Sequence, residues 1–125
     1  MSDSSANRQP PLNDIMAVNP HAPSQPLSVE KAQRMAEFFG VLGDANRWRI
    51  LSVLALGERR VRDIAEMVDM SESAVSHQLR ILRTMRMVGY RKQGRNVLYS
   101  LKDDHIFNLY HEVSEHLDEP DDPEE

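Results

Sequence analysis

Apolar residues recur at three- and four-residue steps through most of the chain and at two-residue steps in a short stretch after Met87. The first period predicts amphipathic helices, and the second predicts strands. The predicted helices run from Ser28 to Gly40 or Gly43, and over residues 45–56, about 61–68, 71–85 and about 104–117. Strands are predicted at 88–90 and 97–101, which gives the order α-α-α-α-β-β-α.

The predicted helix at 71–85 has one apolar side and one polar side. Ser71 is expected to cap its first turn, because a serine hydroxyl accepts from free backbone N–H groups there. Its apolar side consists of Ala74, Val75, Leu79, Ile81, Leu82 and Met85. Its polar side consists of Ser73, Ser76, His77, Arg80 and Thr84, with no carboxylate after Glu72. This polar side suits a DNA groove, although an ordinary solvated helix face would have a similar composition.

A helix-turn-helix unit is predicted from the short helix at 61–68, a turn at Asp69 and Met70, and the helix at 71–85. No glycine occupies that turn, although glycine is common there. Gln78 lies among the apolar positions, so we expect it to bind protein backbone rather than a base.

A basic hairpin loop is predicted over residues 91–96, with Gly94 at positive φ. A hairpin directly after such a helix is typical of a wing that lies against the DNA backbone or the minor groove. The predicted DNA contacts are Ser71, Ser73, Ser76, His77 and Arg80 in the helix, and Arg91, Lys92, Gln93, Arg95 and Asn96 in the loop.

The charge distribution supports a nucleic-acid partner, although the net charge of −5 alone would argue against one. Between Arg47 and Arg95, 11 Lys and Arg stand against 5 Asp and Glu, whereas the last eight residues hold six acids and no base. The chain has no cysteine, no apolar run long enough for a membrane span and no signal-peptide pattern. A cytoplasmic protein with no membrane partner is therefore expected.

Three segments are expected along the chain. Residues 1–27 hold five of the seven prolines and few apolar groups, which predicts a disordered tail. Residues 28–119 are expected to form one DNA-binding and dimerisation domain, and residues 120–125 an acidic tail. The fold class is therefore mainly α with a β-hairpin wing, a winged helix-turn-helix. Apolar stripes on the first and last helices favour a homodimer, because such proteins commonly pair to meet two DNA half-sites.

Two histidines of the last helix suggest a metal site shared between subunits. His105 and His116 are eleven residues apart and share a face, but about 16 Å of helix separates them. Two copies of the helix packed antiparallel would bring the start of one beside the end of the other. This predicts two symmetric sites, each formed by Asp103 and His105 of one subunit with His116 and Glu119 of the other.

The donor set of two imidazoles and two carboxylates suits Zn²⁺, with Co²⁺ next, and the dimer would hold two ions. Asp103 must then lie in the non-helical entry to the helix. The alternative is that Asp103 is only a helix cap and Glu119 only the start of the acidic tail. His111 lies off the shared face and is not expected to be a ligand.

From about Ala36 to Glu119, the sequence resembles the ArsR/SmtB family of bacterial metalloregulators. The matching stretches are residues 39–51, 71–83 and 88–95. The resemblance implies a winged-helix homodimer that represses its operator until a metal binds. In the zinc-sensing branch, the C-terminal helices carry an Asp-x-His and either a His-x-x-Glu or a His-x-x-His, which form an intersubunit site. Asp103, His105, His116 and Glu119 match it, with glutamate as the final ligand.

The chain departs from many of these relatives on the predicted third helix. Arg60 and Arg62 stand where those relatives have cysteines. The thiolate site for soft metals is therefore not expected in this chain. The expected function is a zinc-responsive repressor that binds double-stranded operator DNA when metal-free. The alternatives are a winged-helix regulator without metal input, one responding to cobalt or nickel, and a zinc-buffering protein that does not use DNA. No enzyme activity and no small-molecule substrate are expected.

Overall fold

The computed structural model describes residues 24–121. Its elements are α1 (Val29–Val41), α2 (Ala45–Ala55), α3 (Val61–Val68), α4 (Glu72–Thr84), β1 (Val88–Gln93), β2 (Asn96–Leu101) and α5 (Asp104–Asp118). The predicted order of elements is confirmed, with helix ends within about two residues of prediction. The predicted disorder of residues 1–27 falls almost wholly outside the described residues, as does most of the acidic tail. The chain divides between Gln33 and Arg34, and the packing below is that of the second unit.

The core is formed by α2, α3, α4 and the start of β1. Its buried members are Leu42, Ile50, Leu51, Val53, Leu54, Ile64, Ala65, Val68, Val75, Leu79, Leu82, Met87 and Val88. In α2, Leu51 and Leu54 are buried. Ile50 and Val53 are also buried, because α2 contacts α3 and α4 as well as β2 and α5.

The turn between α3 and α4 is made without glycine. Asp69 takes the left-handed conformation (φ 57°, ψ 52°), which Asp and Asn tolerate better than most residues. The Met70 amide then donates to the Ala65 carbonyl, and Arg49 Nη1 donates to the Val68 carbonyl at 2.8 Å. Ser71 Oγ accepts from the Ala74 amide at 3.1 Å, which confirms the predicted cap.

The β1–β2 hairpin, called the wing below, is longer than the sequence predicts. Arg91, Lys92 and Gln93 pair with Leu98, Val97 and Asn96, so the six-residue loop predicted at 91–96 is wrong. Only Gly94 and Arg95 form the turn, and Gly94 has the expected positive φ of 64°. The end of the hairpin is solvated on both faces, so no apolar alternation marks its strands in the sequence.

Neither α1 nor α5 has a buried residue in the described single chain. Apolar side chains remain exposed on both helices, among them Met35, Phe39, Phe107, Val113 and Leu117. Among residues 24–121, no helix is long and apolar enough to cross a membrane.

Asp69 provides a test of the helix-turn-helix turn. Asp69→Val is expected to lower the free energy of unfolding by about 1–2 kcal/mol, because a β-branched residue strains a left-handed backbone. Asp69→Gly is expected to match or exceed wild type, and Asp69→Asn is the matched control. Urea unfolding at one protein concentration measures all three, and an unchanged stability of Asp69→Val would contradict this account of the turn.

Candidate functional site

The polar side of α4 faces solvent as predicted. Ser73, His77 and Arg80 are exposed, and Ser76 is half-buried. Ser71 Oγ is engaged as the helix cap and lies 3.3 Å from Ser73 Oγ. The face therefore offers hydroxyl, imidazole and guanidinium groups, and α4 has no carboxylate after its first residue. This chemistry suits base edges and phosphates.

Gln78 binds a side chain, so the prediction of a backbone partner is wrong. Its Oε1 accepts from Arg47 Nε at 2.7 Å. Arg47 lies in the first turn of α2, 31 residues earlier, and no local period in the sequence connects the two positions. Gln78 is half-buried, and its amide oxygen contacts α2 of the same chain.

The basic residues of the wing differ in their surroundings. Arg91 forms a bidentate contact with Glu58, with Nε to Oε2 at 2.8 Å and Nη2 to Oε1 at 2.9 Å. Neither Lys92 nor Arg95 pairs with a carboxylate within residues 24–121. Lys92 and Arg95 are thus the stronger candidates for phosphate contact, while the charge of Arg91 is largely balanced.

The segment before α3 also holds the wing through its backbone. The Arg59 amide donates to the Tyr99 carbonyl at 3.0 Å, and the Tyr99 amide donates back at 2.8 Å. With the Glu58–Arg91 ion pair, these bonds fix the wing to the connection between α2 and α3. Sequence reasoning missed Glu58, because its partner is 33 residues away.

Arg60, the N-cap residue of α3, is also paired. Its Nε and Nη2 contact the Asp63 carboxylate at 3.0 and 3.3 Å. The Arg60 guanidinium holds the pKa of Asp63 below its ordinary value, mainly through these hydrogen bonds. Arg62 remains exposed on α3.

The four predicted metal ligands form two pairs, called the donor pairs below, at opposite ends of α5. His105 Nδ1 lies 3.6 Å from Asp103 Oδ1, and His116 Nδ1 lies 3.8 Å from Glu119 Oε1. The His105 and His116 side chains are 94% and 79% exposed. Within residues 24–121, one copy of the chain brings no three His, Asp or Glu side chains together around a possible metal position.

Asp103 acts as a helix cap and also lies beside His105. Its backbone is extended (φ −164°, ψ −176°), as the metal-site prediction requires, and its Oδ1 accepts from the Ile106 amide at 3.2 Å. Capping and ligation are thus compatible at this residue, since a carboxylate has several acceptor positions. The exposed nitrogen and oxygen donors fit an ion such as Zn²⁺ or Co²⁺.

His111 lies apart from the donor pairs. Its ring stacks on Phe107 at 6.0 Å between centroids, and its Nε2 lies 3.7 Å from Glu115 Oε2. Its neighbours therefore differ from those of the two histidines in the donor pairs.

Comparison with known proteins places this fold in a family. Residues 44–90 match the family model described as bacterial regulatory protein, arsR family. The chain is 52% identical over 110 residues to the transcriptional repressor SmtB homolog of Synechocystis sp.. This alignment covers 88% of this chain and 80% of that protein. The chain belongs to the arsR family. It is therefore a DNA-binding transcriptional regulator and not an enzyme.

Two further relatives extend the comparison. The cadmium resistance transcriptional regulatory protein CadC homolog of Staphylococcus aureus is 38% identical over 84 residues, covering 66% of this chain and 69% of that protein. A homodimeric winged helix-turn-helix DNA-binding domain of Mycobacterium bovis superposes with a TM-score of 0.67 at 28% identity, covering 74% of this chain and 88% of that one. The predicted winged helix-turn-helix fold is confirmed.

The Glu58–Arg91 ion pair gives a prediction about pH. Arg91 holds the pKa of Glu58 below its ordinary value, mainly through the side-chain hydrogen bond. The contribution of the pair to wing attachment is thus fully present above that ordinary value and is lost as pH falls through the lowered pKa. NMR titration of the Glu58 carboxyl is expected to show the low pKa, and Arg91→Met to restore the ordinary one. An ordinary pKa in wild type would contradict the ion pair.

Proposed function

We propose that this arsR-family regulator is a zinc-responsive repressor. Its metal-free homodimer binds operator DNA in the cytoplasm, and binding of Zn²⁺ to sites on the α5 helices releases the DNA. The observation that carries the proposal is the presence of two exposed donor pairs at opposite ends of one helix, in a chain whose α4 presents a polar face free of acids beyond its first residue.

The DNA-binding part of the proposal rests on α4 and the wing. A helix fits the major groove of B-DNA, where side chains reach base edges. We assign the contacts to Ser71, Ser73, Ser76, His77 and Arg80 of α4 and to Arg91, Lys92, Gln93, Arg95 and Asn96 of the wing. Within this set, Arg91 is expected to contribute least to affinity, because Glu58 already balances its charge.

The homodimer is supported by the unburied apolar residues of α1 and α5. A single copy leaves Phe39 49% exposed and Leu117 75% exposed, and burial of such groups in a subunit interface is favourable by about 25 cal/mol per Å². The Mycobacterium bovis neighbour is homodimeric. A dimer also provides two copies of α4 for two half-sites about one DNA turn apart.

The metal site is proposed to combine donors from two chains. α5 has 15 residues and is about 22 Å long, so Asp103 and His105 at its start cannot share an ion with His116 and Glu119 at its end. Zn²⁺ or Co²⁺ is favoured over thiophilic metals because the chain has no cysteine. We therefore do not extend the cadmium resistance in the name of the CadC homolog to this chain. Zinc and DNA must weaken each other's binding equally, since coupling is reciprocal.

The metal site is tested with variants of α5. His116→Gln and Glu119→Gln are expected to keep operator affinity within about twofold and to lose release by zinc, typically a 5- to 150-fold effect. His111→Gln is the matched control, because it removes an imidazole of the same helix outside the donor pairs. Fluorescence anisotropy with and without zinc, cobalt or nickel measures the response. Release of His116→Gln by zinc would contradict the site, and no response of wild type to any of the metals would favour a regulator without metal input.

Arg80 tests the orientation of α4. If Arg80 reads a base, Arg80→Ala is expected to weaken operator binding by about 1–3 kcal/mol and to relax sequence specificity. If Arg80 contacts phosphate, the variant is expected to weaken binding to all duplexes alike and to reduce the slope of log affinity against log salt concentration by about 1. Lys102→Ala, which removes the same charge outside α4 and the wing, is the control. Unchanged affinity of Arg80→Ala would contradict this placement, and salt-independent binding of wild type would favour the zinc-buffering alternative.

A further inference from the structure

One arginine in the first turn of α2 contacts α4, the helix that we propose to read DNA. Arg47 Nε donates to Gln78 Oε1 of α4 at 2.7 Å, and Arg47 Nη1 donates to the Val41 carbonyl at the end of α1, also at 2.7 Å. The backbone of Arg47 is itself fixed, because its amide donates to Asp44 Oδ1 at 3.1 Å. One side chain therefore connects three helices.

This connection is well suited to fix the rotation of α4 about its axis. A guanidinium is planar and directs its donors in a rigid fork, so two simultaneous acceptors define its position. A hydrogen bond from a charged donor is roughly twice as strong as a neutral one. Gln78 lies between His77 and Arg80 in sequence, so holding its side chain against α2 directs those two toward solvent.

The neighbouring residue of the same turn contacts the helix that bears the donor pairs. The rings of Trp48 in α2 and Tyr110 in α5 lie 6.4 Å apart between centroids, with 31° between their planes. Beside them is an apolar cleft of about 260 Å³, lined by Trp48, Tyr110, Val113, Ser114 and Leu117. The contact between α2 and α5 is thus incompletely packed in a single copy of the chain.

We propose that Arg47 is a positioning residue for DNA recognition. Through Gln78 it holds α4 in the orientation that discriminates operator from other DNA, and the adjacent Trp48 makes that orientation depend on the position of α5. The first part stands on the hydrogen bonds alone. The second part rests on the proposed function, because it assumes that an ion at the donor pairs moves α5.

The first part is tested without metal, in the full chain, by the ratio of affinities for two duplexes at one salt concentration. One duplex is selected from a random pool by wild type, and the other is an unselected sequence. Arg47→Lys keeps the charge but cannot serve both acceptors in the same geometry, and Gln78→Met removes the acceptor at similar volume. Both are expected to lower the ratio at least tenfold.

Two further variants separate positioning from general stability. Arg49→Lys alters another arginine of α2, whose hydrogen bond goes to α3 rather than α4, and it is expected to keep the ratio within about threefold. Gln78→Glu retains an acceptor for Arg47 and adds a negative charge. It is therefore expected to weaken binding to both duplexes but to keep the ratio of the two affinities. A wild-type ratio in both Arg47→Lys and Gln78→Met would overturn the proposal, as would an equal loss in Arg49→Lys.

The second part is tested by adding zinc. Tyr110→Leu removes the ring beside Trp48, and it is expected to keep metal-free discrimination and zinc affinity while the zinc-induced change in operator affinity falls to less than threefold. His111→Gln, which alters another ring of the same helix outside the donor pairs, is the control. A wild-type zinc response in Tyr110→Leu would overturn the link to α5. Failure of wild type itself to respond would instead overturn the proposed function, and the metal-free ratios would still decide the role of Arg47.

Discussion

The burial of one stripe of α4 determines what this molecule can present to a partner. Val75, Leu79 and Leu82 are fully buried against α2 and α3, so only the opposite side of the helix remains available. That side presents hydroxyl, imidazole and guanidinium groups, whereas the apolar residues of the helix lie in the core or at its edge. The left-handed turn at Asp69 sets the direction of α4 relative to α3, and therefore the direction in which this polar side faces.

A second constraint is the stiffness of α5. A continuous helix holds its ends apart by a fixed rise per residue, so donors at its two ends act independently within one chain. The same rigidity becomes useful once two copies meet, because a displacement imposed at either end moves the whole helix. Tyr110 lies midway between the donor pairs, and its ring lies beside Trp48, which is where we propose that such a displacement reaches α2.

The sequence predicts the helices, their caps and the order of elements, because these depend on residues within one or two turns of each other. The bounds of the wing are not predicted, since pairing such as Arg91 with Leu98 continues where both faces are solvated and no apolar alternation remains. Long-range polar contacts are missed for a similar reason. Gln78 with Arg47 and Glu58 with Arg91 join residues more than 30 positions apart, and several partners of matching chemistry compete in the sequence.

These long-range contacts change the meaning of the positive charge in the middle of the chain. Arg60 and Arg91 are balanced by carboxylates, while Arg47 and Arg49 direct their donors into the protein. The cations left for phosphates are therefore fewer than the 11 counted between Arg47 and Arg95. Since the salt dependence of DNA binding follows the number of phosphates neutralised, the structure implies a shallower salt slope than the composition does. Specific contacts from α4 must then supply a correspondingly larger share of operator affinity.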